Sequence, residues 1–345
     1  MQMSYGSCIS GYNNFSENIH YYYQFAYLLP AICLNYRILY VIWISQRHIY
    51  SSQSFYNLYS IDCAISILAM SAELMFTRLF LYFPQFCESL SGIVAVSPIF
   101  MKLYYCSISY FKAVKPVIHI FVAVNRMSCV MFPVTYSQNW SHKMRATTVF
   151  ILLAPFLVIW NLPISDNIII FLNGGFAINY ERRVKWASLS FMQLMLLIIT
   201  VLITMITTAV TFYKMKSMKK RIKSSERALC LAAALISVGF LLEAVTETFF
   251  AFFKQEPWMI HIMNYVVYTT WDILFVGSPI VLFLASKQFR DHVLGRKMGR
   301  TLRVSSINNT HQNLHQSHHT LMLLNVQLTG LFYLFYINYF LGRLL

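Results

Sequence analysis

The chain has 345 residues, of which 58% are hydrophobic, 17% aromatic and 11% charged, with a net charge of +15 and a mean hydropathy of +0.55. Soluble domains carry about a quarter charged residues, so a water-soluble globule around one buried core is excluded. Most of the basic residues fall in short connectors between apolar runs rather than along one polar face. That pattern excludes a nucleic-acid footprint and reads as a membrane-topology signal.

Residues 1–21 are polar and aromatic, lack Lys and Arg, and carry one glycosylation acceptor at Asn14-Phe15-Ser16. They predict an extracellular N-terminal segment. No basic region followed by an apolar core opens it, so no secretory signal peptide is expected. Seven apolar runs follow, at 22–45, 55–80, 99–134, 147–169, 187–213, 228–252 and 261–285. Each reaches the roughly 20 residues that one crossing needs. The third is overlong and must tilt or project from the bilayer. Pro155 and Pro163 bend or shorten the fourth, and Gly277-Ser278-Pro279 predicts a kink in the seventh. The expected fold is an all-α integral membrane protein, a seven-helix bundle over 22–285.

Connectors on one side (45–54, 126–146, 214–227 and 287–303) hold 17 Lys and Arg residues, against 4 on the other (1–21, 81–98, 170–187 and 253–260). The basic side faces the cytoplasm, so the N-terminus is expected outside and the 286–320 tail inside. Phe289 and Val293 lie one turn apart among Lys287, Arg290 and His292, which predicts a short amphipathic helix on the inner leaflet. Residues 321–345 contain a further uncharged run, Leu321–Leu341, about long enough to span. Either it is an eighth crossing, or it is mispredicted coding sequence; its Asn-, Leu- and Tyr-rich composition favours the second. Cys8 and Cys87 both fall outside in this topology and are candidates for a bridge.

Ionisable groups inside the spans are functional candidates. Counted from the inner edge, Arg37 lies roughly 15 Å deep and Asp62 roughly 12 Å, an expected structural ion pair. Lys112, Glu243 and Asp272 share a level at roughly 21–24 Å. Lys112, Lys115 and His119 follow i, i+3, i+7 on one face of the third run, and Glu243 and Glu247 share a face of the sixth. Lys112, Lys115, Glu243, Glu247 and Asp272 therefore form either a self-neutralising polar core or the lining of a ligand cavity. Aromatics crowd the outer halves, among them Tyr104, Tyr105, Phe250, Tyr268 and Trp271. They read as an interfacial belt or as the wall of an outward pocket.

No P-loop, dinucleotide fingerprint, HExxH or GxSxG occurs. No catalytic residue, metal site or cofactor is expected, and His311, His315, His318 and His319 read as a solvated tail. Three blocks carry a family resemblance: SFYNLYSIDC at Ser54–Cys63, NRMSCVMFPVTYSQNW at Asn125–Trp140, and the basic run before Glu226 and Leu229. Together they resemble the serpentine receptor class gamma, or Srg, chemosensory G-protein-coupled receptors of nematodes. The resemblance implies a plasma-membrane receptor, in sensory neuron cilia, that binds a small molecule outside and activates a heterotrimeric G protein inside. It places G-protein coupling at Asn125, Arg126, Lys219, Lys220 and Arg221. The rival expectation is a seven-span ligand-gated channel subunit or a transporter.

Overall fold

Stretches whose hydropathy excludes water must satisfy every backbone group internally, and helices do so. In the computed structural model seven helices among the described residues are long and apolar enough to cross a membrane. They are Phe15–Ser45, Ser54–Tyr82, Pro98–Met131, Tyr136–Ile159, Leu189–Ser217, Ala232–Phe253 and Val266–Ala285, hereafter spans one to seven. The structure describes residues 8, 14–172, 174–217, 224–253 and 257–295. The expectations for Lys219, Lys220, Arg221, the Asn14 side chain, the tail past 295 and the 321–345 segment lie outside the described residues.

The helices are α1 (Asn14–Tyr40), α2 (Arg47–Tyr50), α3 (Ser54–Ala72), α4 (Leu79–Tyr82), α5 (Cys87–Val96), α6 (Pro98–Met131), α7 (Tyr136–Leu153), α8 (Phe156–Ile159), α9 (Leu189–Ser217), α10 (Ser224–Phe253), α11 (Pro257–Ala285) and α12 (Lys287–Val293). Spans one and two are not α-helical throughout, because π-turns at Val41–Ser45 and Glu73–Arg78 interrupt them. Pro155 ends α7, as expected, whereas Pro116 and Pro279 sit inside α6 and α11 without ending them. Beside Pro279 the Tyr59 hydroxyl donates to the Ser278 carbonyl at 2.7 Å, a bond that joins spans two and seven.

Hydropathy misplaced two boundaries. α7 starts at Tyr136, well before the expected 147, because its polar first turns are helical without being apolar. Beyond Pro163 the run does not stay helical. Its β-branched stretch Ile168-Ile169-Ile170 instead forms β1 (Asp166–Leu172), antiparallel to β2 (Gly175–Glu181). A mostly helical bundle thus carries one hairpin, in the connector read as a loop.

The hairpin tip reaches the outer end of span two. Phe176 is fully buried and stacks on Phe80 at 4.8 Å between centroids. Its other end is tied to α9, where the Tyr180 hydroxyl accepts the Leu189 N–H at 2.7 Å. Burial raises the pKa of that hydroxyl, so it stays protonated. At the same end a disulfide joins Cys8 to Cys87, fixing the N-terminal segment to α5. Within the bundle, α9 buries Thr200, Thr204, Thr207 and Thr211, one face at spacings of four, three and four. Each hydroxyl donates to the carbonyl four residues back, so the buried stripe leaves no donor unmade.

Gly175 shows how close the hairpin sits. A Cβ there would lie 2.4 Å from the Phe80 and Leu81 carbonyl oxygens, whereas one at Gly92 would meet nothing within 4 Å. Gly175→Ala should therefore destabilise the purified protein by roughly 1–3 kcal/mol, the range for forced overpacking. Gly92→Ala should stay within about 0.5 kcal/mol. Thermal unfolding in detergent checks both, and equal melting temperatures would show that the hairpin is not seated on span two.

Candidate functional site

A charge taken into the bundle persists only if it is paired, and the pairs here form two layers. The upper layer begins with the π-turn. In an α-helix residues five apart point about 140° apart, but the wider π-turn brings Glu73 and Arg78 to one side. Both are buried, and Arg78 Nη2 lies 3.2 Å from Glu73 Oε2. The same guanidinium donates to Asp272 of span seven and, from Nη1, to Gln24 Oε1 at 3.0 Å. Tyr27 of span one also donates to Asp272. Lys112 of span three closes the chain, its Nζ 2.8 Å from Glu73 Oε1. Lys112–Glu73–Arg78–Asp272 is thus a neutral row of two cations and two carboxylates joining spans two, three and seven. Glu73 and Arg78 escaped the sequence reading. Their presence inside an apolar run was the available signal.

One turn along α6, Lys115 builds the second layer. Its Nζ lies 2.9 Å from Asp62 Oδ1 and donates to Ser66 Oγ at 2.8 Å. Ser278 Oγ donates to Asp62 Oδ2 at 2.5 Å, and His119 Nε2 stands 3.9 Å from Oδ1. The expected Arg37–Asp62 pair is therefore corrected. Equal depth did not mean a shared face: Asp62 turns toward the third span, while Arg37 Nε donates to the Val293 carbonyl at the end of α12 at 3.0 Å. The predicted α12 exists, but Phe289 and Val293 are buried against Tyr50 and Tyr56 rather than facing lipid.

Glu243 and Glu247 are both buried on one face of α10, as their spacing predicted. Glu243 is not the ion-pair partner of Lys112, whose Nζ pairs with Glu73 instead. Of the five expected residues, Lys112 lines a cavity among the described residues. This space of about 220 Å³ is walled by Thr77, Tyr104, Tyr105, Phe250 and Tyr268 and covered by hairpin residues including Phe176. It is smaller than the roughly 300 Å³ at which drug-sized pockets begin. The aromatics divide accordingly: Tyr104, Tyr105, Phe250 and Tyr268 face the cavity, Trp271 is core, and Tyr22, Tyr23, Phe249, Phe252 and Phe253 lie on the surface.

At the inner mouth the conspicuous sequence blocks converge. Asn125 Nδ2 donates to Ser54 Oγ at 2.9 Å, and the Tyr136 hydroxyl donates to Asn125 Oδ1 at 2.9 Å. Arg126 is buried, with its guanidinium carbon 3.4 Å from the centre of the Phe55 ring. This contact too escaped the sequence reading, since nothing in the spacing joins residue 55 to residue 126.

The pairings are open to a double-mutant cycle. Lys112→Met or Glu73→Gln strands a buried charge, and each should cost roughly 3–5 kcal/mol of stability. The double variant should cost less than their sum, with a coupling within the roughly 0.5–3 kcal/mol seen for contacting residues. Lys112→Met with Glu243→Gln should be closer to additive. A larger coupling to Glu243 than to Glu73, measured by thermal unfolding, would reject the assignment.

The sequence profile described as the Srg family chemoreceptor matches residues 21–293. Serpentine receptor class gamma-3 of Caenorhabditis elegans is 71% identical over 320 residues, covering 92% of this chain and 96% of that protein. Serpentine receptor class gamma-4 of the same organism is 40% identical over 286 residues, 83% of this chain and 90% of that one. Serpentine receptor class gamma-2 is 42% identical over 289 residues, 84% and 88%. A multi-pass membrane protein with seven candidate spans, this chain belongs to the Srg family of chemoreceptors, a class of receptors rather than enzymes.

Proposed function

We propose that this receptor binds a small, mostly apolar molecule in the cavity under its hairpin and activates a heterotrimeric G protein at the opposite end. The plasma membrane of sensory cilia is the location that fits this role. The observation that carries the reading is the position of Lys112. It stands on the cavity wall and is also the terminal cation of the row reaching spans two and seven. A ligand that engages its ammonium competes with Glu73, so occupancy and helix contacts compete for one group. Ligand binding needs only to favour the arrangement with the new contact.

The same helix carries the output. Lys112, Lys115 and His119 lie on one face of α6, and Arg126 lies close to that face two turns on. Rotation or sliding of α6 therefore acts on both ionic layers and on the Arg126–Phe55 stack. Once free, Arg126 offers donors to carboxylates and backbone carbonyls of a partner. Lys219, Lys220 and Arg221 add a positive field that steers such a partner. The outer end carries the disulfide and the inner end the cationic connectors, as this direction of signalling requires. No feature of the described residues favours the channel or transporter alternative.

Arg126→Ala should abolish G-protein activation while leaving surface expression near wild type. Nucleotide exchange on a panel of Gα subunits, beside surface labelling of intact cells, separates the two. Loss of surface protein alone would reject the coupling role. Phe55→Ala should raise basal exchange, because a cation–π contact worth about 0.5–2 kcal/mol shifts a two-state balance roughly two- to thirtyfold. Adding Arg126→Ala should remove that gain. Unchanged basal exchange in Phe55→Ala would mean that the stack does not hold the resting state.

A further inference from the structure

The strongest unexplained feature outside the site is the outward face of α5 and the turn that follows it. Cys87 and Val94 point inward and pack with Phe80, Met101 and Phe176, so one side of this ten-residue helix is bound to the bundle. The opposite side carries exposed apolar residues as well, Ile93 at 67% and Val96 at 85%, beside the small Ser89 and Gly92. From Leu79 to Met101 the only charged residue is Glu88, at the far end of the helix. A helix that is apolar on both sides is covered on both sides.

The neighbouring residues indicate the cover. Ile99 (73% exposed) and Leu103 (64% exposed) carry the same apolar surface directly into span three. Ile99 and Arg126 are 27 positions apart on one helix, a rise of about 40 Å. That matches the roughly 40–45 Å thickness of a bilayer with its headgroup layers. With Arg126 at one membrane surface, Ile99 and α5 lie at the other, where an uncharged helix meets the boundary of headgroups and acyl chains.

We infer that α5 is an interfacial helix whose Ile93–Val96 face is embedded in the outer leaflet, with membrane lipid as its partner. The helix is held there from above by the Cys8–Cys87 bridge and from inside by its packing on Phe80 and Phe176. Those two residues also line the cavity. One flank of the cavity is therefore closed against lipid through α5 rather than against water.

The test places the photo-crosslinking residue p-benzoylphenylalanine singly at positions 93, 96 and 103 of the full chain. The receptor is held in nanodiscs of phosphatidylcholine bearing an alkyne-tagged acyl chain. All three side chains project from the fold, and retention of the Cys8–Cys87 bridge on non-reducing gels reports folding of each variant. After irradiation, positions 93 and 96 should label lipid as strongly as position 103, the internal standard on the span. Lipid adducts at 103 alone would show the α5 face in water and overturn the inference. A protein adduct at 93 or 96, whether of doubled mass or not, would overturn it in favour of a protein interface.

Discussion

The fold depends on the cost of an unpaired charge away from water. Four ionisable groups occupy one level of this bundle, and Lys112, Glu73, Arg78 and Asp272 pair with one another in a row. Removing a single member would leave an uncompensated charge at a cost of several kcal/mol, a large fraction of any protein's net stability. The row therefore constrains the helices more than it strengthens them. Span two must present Glu73 and Arg78 together, which a regular α-helix cannot do. The π-turn is the local concession that makes the pairing possible.

The second layer repeats this logic one turn further down α6 and shares its three helices. Lys115, Asp62 and Ser278 join spans three, two and seven, as Lys112, Glu73 and Asp272 do above. Two stacked layers on the same helices make relative motion cooperative, because shifting α6 disturbs both at once. Packed interiors of this kind move between discrete arrangements rather than deforming continuously. In the proposed mechanism, contact at the cavity and exposure of Arg126 are two faces of one displacement of α6.

Much of this was legible in the sequence, and the failures share one cause. Hydropathy located the seven spans, and the three- and four-residue spacings placed Lys112 with Lys115 and Glu243 with Glu247. The outward position of Cys87 beside Cys8 was likewise available from charge counting. Rise per residue gives depth, however, and says nothing about direction around the helix axis. Arg37 and Asp62 matched in depth but faced different neighbours, and Lys112 met Glu73 although Glu243 stood at the same level. Glu73 and Arg78 were obscured for a related reason, since the change from α to π alters the angular step on which facing arguments rest. The hairpin was missed because a β-branched apolar strand and the end of a membrane helix look alike to a hydropathy window.

Arg126 lies on the same helix as the two lysines of the ionic layers and carries an aromatic contact of its own. Lys112 and Lys115 are neutralised by carboxylates, so their resting contacts are charge pairs. At the inner mouth the residue beside the arginine is Asn125, whose side chain is committed to Ser54 and Tyr136. The guanidinium lies over the Phe55 ring. Arginine suits such a stack, because its planar, delocalised guanidinium lies flat on the ring face. In the proposed mechanism, exposing Arg126 to a partner breaks the Phe55 contact, worth about 0.5–2 kcal/mol, together with the other contacts that move with α6. On that reading a contact of modest strength suits a small cavity, because a ligand of few atoms would have little binding free energy with which to move the equilibrium.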